Sequence, residues 1–151
     1  MTERAHRTQQ VFRYLGAAAL LGVGIDHIQQ YFRASYSFIP TIGTLFALNF
    51  ASAVLLAAGL VAPVERLFPR AGKRMIGFLA ASGIGVAMGS LIALLVSEQT
   101  ALFGFRENGY RQAIVISIVL EVATALLLGA FLLGLVRPAP MRLRVAHRAM
   151  R

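Results

Sequence analysis

The chain has no cysteine and no tryptophan among its 151 residues. Without cysteine there can be no disulfide, no thiolate metal ligand and no cysteine nucleophile. Without tryptophan, any aromatic belt at a membrane interface must rely on tyrosine. Charge is scarce as well, at 14% of residues, against about 25% in soluble proteins. Acidic residues are especially few, six against fifteen Lys and Arg, so the formal net charge is +9.

Hydrophobic residues, by contrast, make up 58% of the chain. A water-soluble fold of this size could not bury so much apolar surface. Four segments reach the ~20 residues that a helix needs to cross the hydrocarbon core of a membrane. We place these spans at about 11–32, 40–64, 75–96 and 112–136, within a single transmembrane domain covering 1–151. Because short loops make successive helices antiparallel neighbours, we predict an all-α membrane fold, an antiparallel four-transmembrane-helix bundle.

The basic residues are unevenly divided between the two ends of the predicted bundle. Twelve of the fifteen lie in the N-terminal segment up to Arg13, between the second and third spans, or after the fourth. The positive-inside rule places these segments in the cytoplasm, so we expect a multi-pass plasma (inner) membrane protein with both termini inside. The basic C-terminal tail, 137–151, either lies on anionic lipid headgroups or only fixes topology, and we favour the second reading. No nucleic-acid partner is expected, because stacking aromatics do not alternate with the basic residues.

Polar residues inside the spans are the main candidates for a site, because ionisable groups are costly in a membrane. The candidates are Asp26, His27 and Tyr31 in the first span, Asn49 in the second, and Ser117, Glu121 and Thr124 in the fourth. Glu121 and Asn49 lie ~15 Å and ~14 Å from the same membrane face at 1.5 Å per residue. At nearly equal depth, these two side chains could share a hydrogen bond.

Glu121 has two readings, one structural and one functional. As a neutral acid it could hold two helices together with Asn49. A glutamine would serve that purpose without an ionisable group, which narrowly favours a functional role. At this depth we expect the carboxyl to be protonated unless water or a cation reaches it, because desolvation disfavours the carboxylate.

The outer third of the first span also has two readings. His27 and Tyr31 are four residues apart and can touch, and Asp26 and Gln30 form a second such pair. These residues are either an ordinary polar helix end at the headgroups or part of a water-filled outer vestibule. In the second reading His27, Tyr31 and Glu98 line the vestibule, and the glutamate of the fourth span forms its floor.

Most standard chemistry is missing from the sequence. A single histidine within the spans excludes bis-histidine haem, and without cysteine it is a weak start for a zinc or copper site. There is no phosphate-binding glycine loop, no His-Glu-x-x-His and no serine in a nucleophile motif. We therefore predict no catalytic residue, no metal and no cofactor, and an enzyme is the least favoured class.

Small residues in the third span offer a surface for close helix packing. Ala81, Gly85 and Gly89 follow one another at four-residue spacing, and membrane helices associate through such residues. We prefer a small membrane subunit or binding protein that acts with membrane-protein partners or as a homo-oligomer. The alternative is a proton- or cation-linked transporter or channel built around Glu121. Four helices enclose little volume, which counts against a transport path.

Two stretches of the chain carry a family resemblance. They are Gly24-Ile-Asp-His27 continuing through Tyr31, Tyr36 and Ile39-Pro40-Thr-Ile-Gly43 to Asn49, and Leu102-Phe-Gly-Phe-Arg-Glu107 followed by Ser117 and Glu121. The pattern resembles a family of small four-helix integral membrane proteins of high-GC Gram-positive bacteria, over most of the chain from Gly24 to Leu128. That family has no assigned function, so the resemblance implies a fold and no activity. It also implies that His27, Asn49 and Glu121 belong to a recurring pattern.

Overall fold

The computed structural model describes residues 3–106 and 111–136, and these form four long helices and two short ones. The long helices are α1 (Glu3–Arg33), α2 (Pro40–Val61), α4 (Gly72–Gln99) and α5 (Gln112–Val136), with a short α3 (Val64–Leu67) and a 3-10 turn (Tyr36–Phe38) in the connections. Each long helix is long and apolar enough to cross a membrane. The predicted all-α architecture of four apolar helices is therefore confirmed. The predicted basic tail, 137–151, and the loop residues 107–110 lie outside the described residues.

The helix bounds differ from the predicted spans for local reasons. α1 begins at Glu3, eight residues before the predicted start at residue 11. Hydropathy detects only the apolar part of a helix, so the polar first turns were not predicted. α2 ends at Val61, short of the predicted residue 64. Pro63 explains this end, because proline has no backbone N–H to continue the helix. Pro40 occupies the first turn of α2, where a missing N–H has no cost.

The four long helices form a closed ring in which every neighbour runs antiparallel. α1 packs against α2 and α5, and α4 packs against the same two helices, so α1 and α4 are diagonal partners. Gly24 of α1 lies beside Ala53 of α2, whereas Gly16, two turns earlier, lies beside Leu128 of α5. We call the end with Glu3 and Val136 the tail end, and the end with the connections 34–39 and 100–111 the loop end.

Glycines bring three helices together around a single leucine. Leu128 of α5 is fully buried. A Cβ added to Gly16 of α1 would lie 2.8 Å from Leu128 Cγ, and one added to Gly83 of α4 would lie 2.9 Å from Leu128 Cδ1. Both distances are shorter than van der Waals contact allows, so the leucine fits only because both positions lack a side chain. This contact fixes the spacing of α1, α4 and α5.

The apolar core fills the half of the bundle nearer the tail end. Its buried members are Ala17, Leu20, Ala53, Ala57, Leu60, Val64, Ile76, Ala80, Leu128 and Phe131. In this half α2 and α4 touch, because Gly59 of α2 leaves room for Leu79 of α4 at 3.0 Å from its Cβ position. Among the described residues, the tail half is therefore packed with apolar side chains.

Arg13 closes the tail end of α2. Its guanidinium donates to the backbone carbonyls of Leu60 and Ala62, at 2.5 and 2.7 Å, and to the Glu65 carboxylate at 2.8 Å. The side chain is 3% exposed. Helix C-termini leave carbonyl groups without intrahelical partners, and arginine side chains can satisfy them. The sequence analysis counted Arg13 only among the basic residues that set the topology. It did not predict that this side chain caps α2.

Candidate ligand cavity between α2 and α4

Towards the loop end, α2 and α4 separate and leave a cavity of about 340 Å³. Its walls come from all four long helices and both loop-end connections. The polar, aromatic and glycine residues of the lining include His27, Tyr36, Phe46, Asn49, Gly85, Gly89, Ser90, Phe105, Ser117 and Glu121. Ligand sites in proteins have this general character, a mostly apolar wall with a few polar groups.

The glycine face of α4 forms one edge of the cavity. A Cβ placed on Gly85 or on Gly89 would meet nothing within 4 Å, and both residues are exposed at the surface of the bundle. On the opposite edge, Leu45 and Leu48 of α2 are 42% and 57% exposed. The cavity therefore opens sideways, between α2 and α4, onto the apolar surface of the bundle.

At the loop end, the cavity is covered by an aromatic cap. The Tyr36 ring packs on Phe46 at 4.7 Å between centroids and meets Phe105 edge-on at 5.4 Å. The Tyr36 hydroxyl also accepts a 2.5 Å hydrogen bond from Arg111. Leu102 and Phe105 exchange both backbone hydrogen bonds, 2.8 and 2.9 Å long, around a two-residue turn. The sequence pointed to no role for Tyr36, whose position in the cap depends on residues far apart in the chain.

Glu121 lies at the bottom of the cavity and is 1% exposed. Its Oε1 is 2.5 Å from the Ser90 hydroxyl of α4, while its Oε2 is buried and has no hydrogen-bond partner among the described residues. Ser90 Oγ also lies 3.1 Å from the Ala87 carbonyl. A hydroxyl carries one proton, so Ser90 satisfies both neighbours only when a protonated Glu121 donates to it. A carboxylate would instead take the Ser90 proton from the backbone.

His27 faces Glu121 across the same space. Its Nδ1 is 2.9 Å from the Val23 carbonyl, which can only accept, so Nδ1 carries the proton of the neutral ring. Nε2 then presents a lone pair, 3.9 Å from Glu121 Oε1. The ring is held against Phe46 at 4.9 Å. Tyr31, the predicted neighbour of His27, packs edge-on against Phe32.

Asn49 lines the cavity too, but the predicted hydrogen bond between Asn49 and Glu121 is wrong. Asn49 Oδ1 is buried without a partner among the described residues, and Glu121 bonds to Ser90 instead. Equal depth did not bring the two groups together, because α2 and α5 lie on one diagonal of the bundle, with α1 and α4 between them. Both residues line the cavity.

Of the three remaining candidates, one lines the cavity and two do not. Ser117 lines the cavity, whereas Thr124 is fully buried below it and donates to the Leu120 carbonyl of its own helix. Asp26 accepts a 2.6 Å hydrogen bond from Gln30, as the four-residue spacing predicts. Asp26 does not line the cavity.

The cavity shares only His27 and Glu121 with the predicted vestibule. Neither Tyr31 nor Glu98 lines the cavity, and Tyr31 instead packs edge-on against Phe32 at 4.9 Å in a surface groove. Tyr36 occupies the place that was assigned to Tyr31. The reason is the rotation of α1, which turns His27 inward and leaves Tyr31 beside Gly43 of α2.

A metal site finds no support among residues 3–106 and 111–136, which contain no cluster of three His, Cys, Asp or Glu side chains. Ser90, like Tyr36, is a site residue that sequence reasoning missed. It was visible as a polar side chain in an otherwise apolar span, but helix rotation decides whether such a serine faces a partner. No family model, curated protein or solved structure matches the chain, so the family resemblance stays a prediction.

Proposed function

We propose that the protein is a multi-pass protein of the plasma membrane, with the tail end in the cytoplasm. Four helices of sufficient length and hydropathy support membrane insertion. The orientation is supported by the basic residues at the tail end, such as Arg4, Arg7 and Arg74, against Arg33, Arg106 and Arg111 near the loop end. In this orientation the cavity lies in the outer half of the membrane.

Within the membrane, we propose that it acts as a binding protein for a small lipid-soluble molecule. The observation that carries this proposal is a cavity with buried polar atoms and a sideways opening on an apolar surface. Buried polar atoms without partners are rare in folded proteins. A ligand that enters from the lipid would satisfy Asn49 and Glu121 and fill the apolar space beside them.

The second candidate is a proton- or cation-linked transporter. It is favoured by Glu121, an ionisable group beside His27 at the bottom of the cavity. Transport requires access from both sides of the membrane, however, and the tail half is filled by Leu20, Leu60, Leu128 and the other core side chains. Binding without transport needs no rearrangement of that core, and for this reason we place it first.

Association with a membrane-protein partner or with a second copy stays a prediction. The glycine face of α4 borders the opening of the cavity, so a subunit docked there would cover the opening. Native mass spectrometry of the detergent-solubilised protein measures its subunit composition directly. A monomer without any bound protein would contradict the prediction of partners and would leave the binding proposal standing.

Carbene labelling from the lipid phase tests the binding proposal. The probe is a small lipid-soluble aryl diazirine, activated by light in membranes that contain the protein. We expect labelling of Asn49 and Ser90 inside the cavity, in addition to the exposed apolar surface. Labelling confined to exposed residues would overturn the proposal.

Two glycine variants make the labelling test specific. Gly89→Leu places a side chain in the opening and is expected to abolish labelling of Asn49 and Ser90. Gly129→Leu is the matched control, since Gly129 of α5 also has nothing within 4 Å of its Cβ position and does not line the cavity. It should leave labelling inside the cavity unchanged.

A further inference from the structure

We infer that the cavity takes a lipophilic organic cation, an amine or onium group carried on apolar substituents, in exchange for the proton of Glu121. The inference rests on the proposed binding function and specifies the chemistry of the ligand. It is carried by the polarity of the atoms that face the cavity and by the charge that surrounds Glu121.

Two residues of the cavity wall each carry a buried acceptor atom without a hydrogen-bond partner. Asn49 Oδ1 and Glu121 Oε2 are both buried without partners in the described part of the chain. His27 Nε2 is a third acceptor, because the ring proton is on Nδ1. A complementary ligand must therefore bring hydrogen-bond donors, positive charge, or both.

Positive charge is not supplied by the cavity wall. No Lys or Arg is among the described residues that line it. Arg111 stands at the loop end with Tyr36 between it and the cavity, ten residues from Glu121 and thus ~15 Å along α5. A carboxylate at Glu121 therefore needs an incoming cation to balance it, or a proton on Glu121 itself or on His27, whose Nε2 is 3.9 Å away.

The lining favours an organic cation over an inorganic one. Ca²⁺ and Mg²⁺ need six or more oxygen ligands, or several waters, whereas this site offers a single carboxyl group and no acidic cluster in the described residues. Phe46, Tyr36 and Phe105 provide aromatic surface, and aromatic faces attract quaternary ammonium and related cations. Apolar substituents would fill the rest of the cavity and explain the opening towards lipid.

Binding is then an exchange with balanced charge. With the cavity empty, Glu121 holds a proton and donates to Ser90. When the cation enters, that proton leaves for water and the carboxylate faces the positive centre, with the Ser90 hydroxyl donating to Oε1. The other groups around Glu121 are His27 and Asp26 on α1, neutral Asn49 on α2 and neutral Ser90 on α4. Affinity should therefore rise with pH, because protons compete with the cation.

Equilibrium binding to the full-length protein in phosphatidylcholine nanodiscs tests the inference. The probes are tritiated tetraphenylphosphonium, which is a lipophilic cation, and triphenylphosphine oxide, which is neutral. We expect saturable binding of the cation that weakens by at least about tenfold in Glu121→Gln, because an ion pair in a low-dielectric site is strong. Glutamine keeps the shape of the side chain and its contact with Ser90, and circular dichroism verifies the fold.

Asp26→Asn is the matched control. It also removes one negative charge from the same end of the bundle, but Asp26 does not line the cavity. We expect it to change the affinity by no more than about threefold, since charge interactions weaken with distance. Binding should release protons in weakly buffered medium for the wild type and for Asp26→Asn, and none for Glu121→Gln.

The outcomes separate this inference from the proposed function. If the neutral probe binds and the cation binds equally well to wild type and Glu121→Gln, the inference is overturned and the lipid-accessible binding site stands. If neither probe binds and the carbene fails to label Asn49 and Ser90, both are overturned. Cation binding with proton release from Glu121→Gln would assign the exchange to another group, His27 being the nearest, and would also overturn the inference.

Discussion

Replacing Arg13 by methionine should strongly destabilise the bundle. Methionine keeps an unbranched apolar stem and removes every hydrogen-bond donor of the guanidinium. The Leu60 carbonyl then loses its side-chain partner at the end of α2, and the Ala62 carbonyl keeps only its hydrogen bond from the Val64 backbone N–H. Hydrogen bonds to a charged group contribute about 1.5–3 kcal/mol each, and unsatisfied buried acceptors cost a similar amount.

The ion pair adds much less than the two backbone bonds. The Glu65 side chain is 40% exposed, and pairs that water reaches contribute about 0–1 kcal/mol. The total for Arg13→Met is therefore about 3–5 kcal/mol, in the range found when a buried charged network loses one member. Glu65→Gln should cost about 1 kcal/mol or less, because the two carbonyl bonds persist.

Unfolding in mixed micelles measures these differences. Dodecyl sulfate is titrated into the protein in dodecyl maltoside, and the loss of helix is followed by circular dichroism. Arg7→Met is the control on the same helix, since Arg7 is 77% exposed and pairs only with Glu3, and its effect should stay within about 0.5 kcal/mol. If Arg13→Met and Arg7→Met were equally mild, or if Glu65→Gln were as damaging as Arg13→Met, the backbone-capping explanation would be refuted.

Three further predictions concern packing, the polar pair and topology. Gly16→Leu should destabilise the folded bundle by about 1–3 kcal/mol, because the new side chain overpacks the contact with Leu128. Gly85→Ala should stabilise it by up to about 1 kcal/mol, because alanine has the higher helix propensity. Equal effects of the two variants in thermal unfolding would contradict the fit around Leu128. A double-mutant cycle of Ser90→Ala and Glu121→Leu should give a coupling energy of about 0.6 kcal/mol, and zero coupling would exclude their hydrogen bond. A reporter active only outside the cytoplasm should work when inserted near Gly109 and fail when fused after Arg151, and the reverse pattern would refute the orientation.

The candidate site shows how far sequence reasoning reached. Glu121 and His27 were recognised because an ionisable group inside an apolar span stands out without any knowledge of its neighbours. Asn49 was recognised as well, but its partner was not. Depth follows from the helix rise per residue, whereas a hydrogen bond also needs the correct rotation of two helices and the correct lateral distance. Ser90 has no distinguishing local pattern, and the family pattern that contains Tyr36 gives it no role, so only the arrangement of the helices brings the two residues to the site.

The sequence by itself determined that four apolar helices form and roughly where they lie. A helix satisfies its backbone hydrogen bonds within its own segment, so the apolar stretches and Pro63 are sufficient to place the helices. The tertiary structure decided which surfaces meet. Leu128 packs against Gly16 and Gly83, whereas a Cβ on Gly85 or Gly89 would have no neighbour within 4 Å. The amino-acid sequence alone does not distinguish these two kinds of glycine. Whether a glycine accommodates a neighbour or borders a cavity depends on side chains from distant segments, because close packing is a property of the assembled helices.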